Sequence, residues 1–471
     1  MAVYQINDAI HKIITFSERE KAVIDHPFFQ RLRYIRQLAF VSFVYPGAVH
    51  DRFSHSLGAM HVAGRMADQF LYNEEYSVLA RVLSEKEKEL LKFFARLAAL
   101  LHDAGHPPFS HAAESGMPKF KELDLPKSWF AKKDFGRKAA HEDYSVLIIK
   151  GLSAGKNSVL SEAESEIIAS LIHKHAAVPK AWDKLFSKNI DPENLHKLVR
   201  SWISGDADAD RMDYLLRDSY FIGVPYGSYD LNWLINNLGV IKRGSFYVTS
   251  ISESGVHAFE HYILARFNMF AQVYFHKTVR CFEYYLGNAL AKKEIIFKIP
   301  SDISDYVALR DSTFVERLFA KARARPKSWS GRLMAREPAK RIARVWGDFK
   351  TVNDAFVNFR KDLAVIKARP FLVFSKSKFL DYEEGLDGAG SPTGPLFSAF
   401  SMTPIVVVRK QFGVPTSVKM DDYSFVLKHY HKDISMGDIF ILREEFEEKE
   451  AGILEISRKH LHPAPSEFVL E

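Results

Sequence analysis

The stretch "LLHDAGHPPFSHAAE" (100–114) decides the fold, because an apolar helix ends within it on a His-Asp pair. Gly105 and the two prolines that follow cannot continue a helix, so His102 and Asp103 are expected at its C-terminal end. Imidazole and carboxylate ligands together suit a divalent metal ion. This dipeptide alone also fits a solvated pair at a helix end, so both interpretations stay open at this point.

Composition limits the class of protein. The chain has 471 residues, 47% of them hydrophobic, which predicts a large core and two or three structural units. Its one cysteine, Cys281, excludes an internal disulfide and favours a cytoplasmic location. We expect no membrane segment, since no apolar run approaches about 18 residues. The net charge of +7 permits a phosphate-rich ligand without requiring one.

The pattern of apolar residues predicts a mostly α fold: a helical core followed by a smaller C-terminal α/β region. Helical spacing covers most of the first two thirds, including "FFQRLRYIRQLAF" (28–40). After about residue 360 the chain carries short β-branched and aromatic runs, which predict strands: "PFLVFSK", "PIVVVRKQF", "SFVLKHYH" and "DIFILREEF". We therefore expect a helical domain over 1–300, a basic helical connector over 301–360, and the α/β region over 361–471.

A second polar cluster lies in "DADADRMDYLLRDSYF" (206–221). On a helix, five of its side chains share one face: Asp210, Asp213, Tyr214, Arg217 and Asp218. A tyrosine is an unusual choice for a merely solvated face, although a face of structural salt bridges is the alternative. Upstream, Arg52 and His55 begin another helix in "HDRFSHSLGAMH" (50–61).

Taken in order, these segments resemble the HD-domain phosphohydrolases, in the branch similar to the SAM-and-HD-domain deoxynucleotide triphosphohydrolases. The resemblance covers about residues 5 to 290, and we expect a member without the SAM domain. It is carried by "FFQRLRYIRQL", "PGAVHDRFSHSLG", "LLHDAGHPPFSHAAE", "HED" and "DADRMDYLLRDSYF", and more loosely by "ARFNMFAQVYFHK".

The resemblance implies a metal-dependent dNTP triphosphohydrolase, which converts a dNTP to a deoxynucleoside and inorganic triphosphate. It implies four ligands for one divalent metal (Mn, Mg, Fe, Zn or Ni): His55, His102, Asp103 and Asp210. His111, Glu114 and His141 match its acid–base positions, with Glu114 where an aspartate is usual. The matching substrate-binding positions are Gln37, Leu38, Arg52, His106, Arg211, Tyr214, Asp218 and Arg266. Tyr214 is the implied gate against a 2′-hydroxyl.

The same resemblance implies a nucleotide activator and a homo-oligomer, either a dimer or a tetramer. Asn7, Asp25, Gln30 and Arg33 match part of the family's regulatory site. Lys12 stands where a glycine is usual in that site.

Two alternative functions stay open. One is an HD-type nuclease or phosphodiesterase on single-stranded nucleic acid, because the segment 321–344 holds nine basic residues and one acid, Glu337. That segment lacks the interleaved aromatic residues of a base-stacking surface, so a nucleic-acid partner is not expected. The other alternative is a non-catalytic nucleotide sensor.

Overall fold

Helices dominate the computed structural model, which describes residues 3–110, 113, 116–131, 135–187, 190–377, 405–411, 414–424, 426–427 and 434–461. The predicted mostly α class is therefore confirmed. The helices are α1 (Glu18–Asp25), α2 (Pro27–Gln30), α3 (Arg52–Tyr72), α4 (Leu79–Val82), α5 (Glu85–Leu101), α6 (His141–Leu152), α7 (Glu162–Ile172), α8 (Lys180–Asp183), α9 (Pro192–Ile203), α10 (Ala209–Ile222), α11 (Leu231–Asn236), α12 (Val256–Met269), α13 (Lys277–Ala291), α14 (Ile303–Val307), α15 (Asp311–Ala324), α16 (Trp329–Met334), α17 (Phe349–Val365), α18 (Met420–Tyr423) and α19 (Arg443–Leu461).

Three small sheets accompany the helices within the described residues. Their strands are β1 (Val3–Asp8), β2 (Lys12–Ser17), β3 (Leu238–Arg243), β4 (Phe246–Ser252), β5 (Lys340–Trp346), β6 (Phe371–Ser377), β7 (Val406–Gln411), β8 (Val414–Lys419) and β9 (Ile434–Ile441). β1 and β2 form an antiparallel hairpin, the second sheet has the order β3-β4-β7-β8, and the third has the order β5-β9-β6. Only β4 and β7 pair in parallel among these strands.

The core is built around α3 and α5, which pack together, with α10 packed against α3. Fully buried alanines, including Ala63 and Ala95, allow the helices to approach closely. Gly58 of α3 has a specific role, because a Cβ there would lie 1.9 Å from Oδ1 of Asp213 on α10. These contacts bring the start of α3, the end of α5 and the first turn of α10 to one place.

The helix predicted over 28–40 is wrong beyond α2. The chain continues as a 3-10 turn (Arg31–Tyr34), an extended stretch and a second 3-10 turn (Ala39–Phe43). Backbone pairing overrides the helical pattern here, since Gln37 N donates to His50 O at 3.1 Å and Arg52 N donates to Ile35 O at 3.0 Å. The segment is therefore tied to the chain that leads into α3.

The connector expected to be helical over 301–360 is helical only in part. Residues 340–346 form β5, which pairs with β9 and buries Ala343 and Val345 on one face. The boundary predicted at residue 360 falls within α17.

The predicted C-terminal region joins the rest of the fold through two sheets. β7 extends the sheet that begins with β3 and β4, and β9 joins β5 to β6. The strand predicted over "SFVLKHYH" (424–431) is not formed at residues 426–427, which are helical, and residues 425 and 428–431 lie outside the described residues. Within the described ranges, every helix is too short or too polar to cross a membrane.

Candidate metal centre and active site

Three helices supply the four predicted metal ligands. His55 comes from the first turn of α3, which Asp51 caps by accepting from Ser54 N. His102 and Asp103 follow the last residue of α5. Asp210 lies in the first turn of α10, which Asp208 caps by accepting from Arg211 N. Because each cap fixes where its helix begins, the side chains are aimed before any ion binds.

The four side chains converge on one point. His55 Nε2 lies 3.1 Å from Asp210 Oδ1 and 3.6 Å from Asp103 Oδ2. His102 Nε2 lies 3.4 Å from Asp210 Oδ1 and 3.4 Å from Asp103 Oδ1. His55 is fully buried, whereas the Asp210 side chain is 32% exposed. The cluster is thus open towards solvent on the Asp210 side.

The orientation of the two imidazoles suits a metal ion. His55 Nδ1 donates to Asp213 Oδ2 at 2.8 Å, and His102 Nδ1 donates to the Ala99 carbonyl at 2.7 Å. In the neutral rings, Nε2 therefore carries the lone pair. Both Nε2 atoms are buried and make no hydrogen bond, although carboxylate oxygens lie nearby. This donor set of two imidazole nitrogens and two carboxylates fits a divalent cation.

Charge around the cluster also favours a cation. Burial lowers the pKa of His55, yet the neighbouring carboxylates of Asp210 and Asp213 raise it to about 10. Burial likewise opposes ionisation of Asp103, but the proximity of His102 and Arg52 holds its pKa well below the ordinary value. The carboxylates thus stay ionised, and the space beside His55 Nε2 attracts positive charge.

Arg52, predicted to contact phosphate, is engaged with the cluster itself. Its Nη1 pairs with Asp103 Oδ2, and its Nε donates to Ser110 Oγ at 3.0 Å. Its Nη2 lies 3.4 Å from the Gln37 carbonyl. In this arrangement Arg52 orients Asp103, and its phosphate contact stays a prediction.

His106 and His141 lie on the other side of Asp103. Their rings stack with centroids 3.9 Å apart, and His106 Nε2 lies 3.2 Å from Asp103 Oδ1. Burial and the nearby positive groups Arg52 and His141 lower the pKa of His106 well below its ordinary value. His106 is therefore neutral at pH 7. His111 and Glu114, the other predicted acid–base residues, lie outside the described residues.

The predicted sugar-binding side chains line the next turns of α10. The Tyr214 ring lies 6.4 Å from the His55 ring and 6.2 Å from the Tyr274 ring, between centroids. Asp218 accepts from Tyr274 Oη at 2.6 Å and lies 2.7 Å from His50 Nε2. Both Asp218 oxygens are thus oriented by neighbours.

The remaining predicted substrate residues lie around this group. Gln37 is buried, and its Oε1 has no hydrogen-bond partner. Leu38, half-buried, precedes the second 3-10 turn, and Arg266 of α12 is buried near Phe270. Arg211 instead faces the cap of α10, pairing with Gly205 O and Asp208. Contacts of these residues with a substrate stay predictions.

Four residues that sequence reasoning did not assign lie around the site: His11, His50, Asp213 and Tyr274. Asp213 was already on the polar face of α10, so its spacing carried the signal. Tyr274 lies in a segment that resembled the family only loosely. Nothing local marks His11 or His50, because their acidic partners lie about 200 and 168 residues away in the chain.

The predicted regulatory residues lie on the surface. Asn7 is exposed on β1, and Asp25 ends α1 beside Lys21. Gln30 accepts from Arg33 Nε at 2.8 Å, and the Arg33 guanidinium lies 3.6 Å from the centre of the Phe53 ring. Their regulatory role stays a prediction.

Some residues of the basic segment 321–344 form ion pairs within the fold. Arg332 pairs with Glu444 of α19, and Arg344 makes a two-pronged pair with Asp438 of β9. Arg323, Arg325 and Arg336 are exposed. Acidic side chains of the fold therefore neutralise part of this charge, and the rest lies on the surface.

The matches to known families agree with this geometry. The model for the HD domain matches residues 52–217, from the start of α3 to near the end of α10. Residues 52–217 therefore form an HD domain. A second model, for the HD associated region, matches residues 230–368.

Curated relatives cover part of this chain. An uncharacterized protein of Methanocaldococcus jannaschii is 33% identical over 66% of this chain and 54% of its own length. The deoxynucleoside triphosphate triphosphohydrolase SAMHD1 homolog of Dictyostelium discoideum is 30% identical over 65% of this chain and 53% of its own length. The human deoxynucleoside triphosphate triphosphohydrolase SAMHD1 is 29% identical over 67% of this chain and 50% of its own length. The chain thus spans about half the length of the curated relatives it matches.

Solved structures match almost the whole chain. A hypothetical protein from Aquifex aeolicus has a TM-score of 0.67 at 25% identity, covering 96% of this chain and 100% of that chain. A phosphohydrolase from Bacteroides thetaiotaomicron has a TM-score of 0.61 at 20% identity over 94% of this chain and 100% of its own, a likeness of fold.

Proposed function

We propose that the protein is a metal-dependent phosphohydrolase that converts dNTPs to deoxynucleosides and inorganic triphosphate. The observation that carries this proposal is the pair of buried Nε2 atoms, on His55 and His102, that lack hydrogen-bond partners while their Nδ1 atoms are anchored. Asp103 and Asp210 complete the ligand set. A divalent cation bound there supplies Lewis-acid activation of a phosphoryl group.

The chain's own residues divide the remaining work. Arg52 holds Asp103 in place, and neutral His106 donates a hydrogen bond rather than a charge towards phosphate. His141, stacked on His106, is the proposed proton donor, a role that the family resemblance also implies for His111 and Glu114. The departing 5′-oxygen of the nucleoside needs that proton.

Specificity for deoxynucleotides rests on Tyr214. Its ring lies one helical turn from Asp210, and Asp218 lies one turn further along the same face of α10. This spacing suits a substrate whose α-phosphate is near the metal ligands and whose sugar packs on the tyrosine. The relatives named as deoxynucleoside triphosphate triphosphohydrolases support this substrate class.

The experiment is a product analysis on the full chain. Each dNTP and each NTP is incubated with Mn²⁺ or Mg²⁺, and the products are separated by anion exchange. We expect deoxynucleoside and intact triphosphate from dNTPs. Release of dNMP with pyrophosphate, faster degradation of single-stranded oligonucleotides, or binding without turnover would replace the proposal with a pyrophosphatase, a nuclease or a sensor respectively.

We further propose a homo-oligomer, dimer or tetramer, with a nucleotide activator bound near Asn7, Asp25, Gln30 and Arg33. Asn7, Asp25 and Arg33 are exposed and Gln30 is half-buried, which supports an intersubunit position. Light scattering with and without dGTP tests it, and a monomer under both conditions would overturn it.

A further inference from the structure

Two polar side chains at the turn of the β1–β2 hairpin are buried. The side chains of Asp8, the last residue of β1, and of His11 are 6% and 3% exposed, whereas Val3, Gln5 and Asn7 of β1 are exposed. The turn inserts between α3 and α10, where the His11 ring lies 5.0 Å from the His61 ring of α3. A surface hairpin thus places two polar side chains in the interior.

Those two side chains belong to a closed ring of hydrogen bonds with α10. Arg217 donates to Asp8 at 2.8 and 3.1 Å and to Asp213 at 2.8 and 2.9 Å. His11 Nε2 lies 2.7 Å from Asp213 Oδ1, and the backbone N of His11 donates to Asp8 Oδ1 at 2.9 Å. These hydrogen bonds therefore form a closed ring through Asp8, Arg217, Asp213 and His11.

This ring contacts the metal cluster through one atom pair. Asp213 Oδ2 accepts from His55 Nδ1 at 2.8 Å, which sets the tautomer and the rotation of that imidazole. The glycine at position 58 makes room for the arrangement, because a Cβ there would lie 1.9 Å from Asp213 Oδ1 and 2.4 Å from Arg217 Nη2.

We propose that the turn of the β1–β2 hairpin is part of the metal site. Asp213 is the positioning carboxylate of His55, and Asp8 and His11 hold Asp213 in place, so docking of the hairpin and binding of the ion stabilise each other. The inference rests on the metal site of the proposed function and adds the N-terminal hairpin to it. Coupling of this kind is reciprocal.

The first test is Mn²⁺ affinity of the full chain, measured by titration without substrate. Asp8→Asn removes the charge that holds Arg217, so Mn²⁺ should bind about 10- to 100-fold more weakly. Glu20→Gln is the matched control. Glu20 is a buried carboxylate in α1, just after the hairpin, and pairs with Arg96 of α5. Its loss should leave the affinity within roughly 2-fold.

The second test needs no variant. Saturating Mn²⁺ should slow hydrogen exchange of the Ile10 and His11 amides, which donate to Asp8, more than that of the Ser17 amide, which donates to Glu20. If the Asp8→Asn variant fails to fold, hydrogen exchange of the wild-type chain alone tests whether the hairpin is coupled to the metal site.

The outcomes separate the two proposals. If the wild-type chain binds no divalent ion, the metal site itself is wrong. If it binds Mn²⁺ but Asp8→Asn and Glu20→Gln change the affinity equally, or Mn²⁺ slows all three amides alike, the proposed function stands and the role of the hairpin is overturned.

Discussion

Two buried clusters of acidic and basic side chains differ in whether their polar atoms all have hydrogen-bond partners. In the C-terminal sheet, Asp438 is 1% exposed and accepts from Arg344 at 2.7 and 2.8 Å, with Arg341 at 3.4 Å. In the HD core, carboxylates surround His55 and His102, but the Nε2 atoms of these histidines have no hydrogen-bond partner.

The difference separates a structural ion pair from a binding site. A buried charge that is fully paired has no capacity left for a ligand, and the fold depends on it because loss of either partner leaves an uncompensated charge. A buried nitrogen without a partner costs free energy unless a ligand satisfies it. Both regions are rich in charged side chains. They are distinguished by the buried imidazole nitrogens of the HD core, which lack hydrogen-bond partners.

The largest expected effect is in the HD core. His102→Ala should abolish dNTP turnover and Mn²⁺ binding, because it removes a ligand and leaves Asp103 and Asp210 without it. It should leave the thermal midpoint nearly unchanged, since α5 packs through Leu97 and Leu101. His196→Gln is the control, as His196 is also buried but bonds Ser170 at 2.8 Å. Equal metal content in both variants would break the comparison.

Asp438→Ala should show the opposite behaviour. Removing one partner of a buried pair leaves Arg344 unpaired, at a cost of about 3–5 kcal/mol in the free energy of unfolding measured by urea denaturation. Mn²⁺ affinity of the folded chain should not change. The control Asp362→Ala removes a surface carboxylate that pairs with Lys459 and His460, and it should cost much less than Asp438→Ala because surface ion pairs contribute little to stability. Similar losses in the two variants would contradict the assignment.

Tyr214→Ala sharpens the comparison on the substrate side. Without the ring, the preference for dATP over ATP, measured as the ratio of kcat/KM values, should fall about 10- to 100-fold, or roughly 1–3 kcal/mol. Tyr220→Ala, at an exposed position of α10, should leave the ratio unchanged. An unmutated protein with equal rates on ATP and dATP would remove the basis for this prediction.

The smallest effect concerns a carboxylate in the HD core that is bonded like Asp438. Burial alone raises the pKa of Asp143, but hydrogen bonds from Arg137 and His173 lower it to about 2. Because the folded pKa is depressed, the stabilisation is complete above about pH 4 and is lost as the pH falls towards 2. The difference in unfolding free energy between wild type and Asp143→Asn should therefore shrink by about 1 kcal/mol between pH 7 and pH 3. A difference independent of pH would show that Asp143 is not ionised in the native state.

Much of the site could be predicted because its signals are local. The break after Asp103, the spacing along α10 and the start of α3 each follow from a few adjacent residues. Asp213 shared the face of α10 with Asp210 and Tyr214, but one helix cannot indicate which of its acids meets a metal and which supports a histidine.

Other features required long-range information. The helix expected over 28–40 failed because Ile35 and Gln37 bond the chain before α3, a pairing that helical periodicity does not contain. β5 was missed within a basic segment, since its arginines are neutralised by Asp438, 94 residues away from Arg344.

The sequence by itself determined the mostly α class and most of the helices, because helix periodicity and termination are properties of neighbouring residues, and the family resemblance of its motifs implied the four metal ligands. Only the tertiary structure decided which nitrogen of each histidine is left for a ligand, and that Asp8 and His11 at the turn of the N-terminal hairpin are linked to His55 through Asp213. Those outcomes depend on hydrogen bonds between residues as far apart as Asp8 and Arg217, and such contacts exist only after the chain has folded.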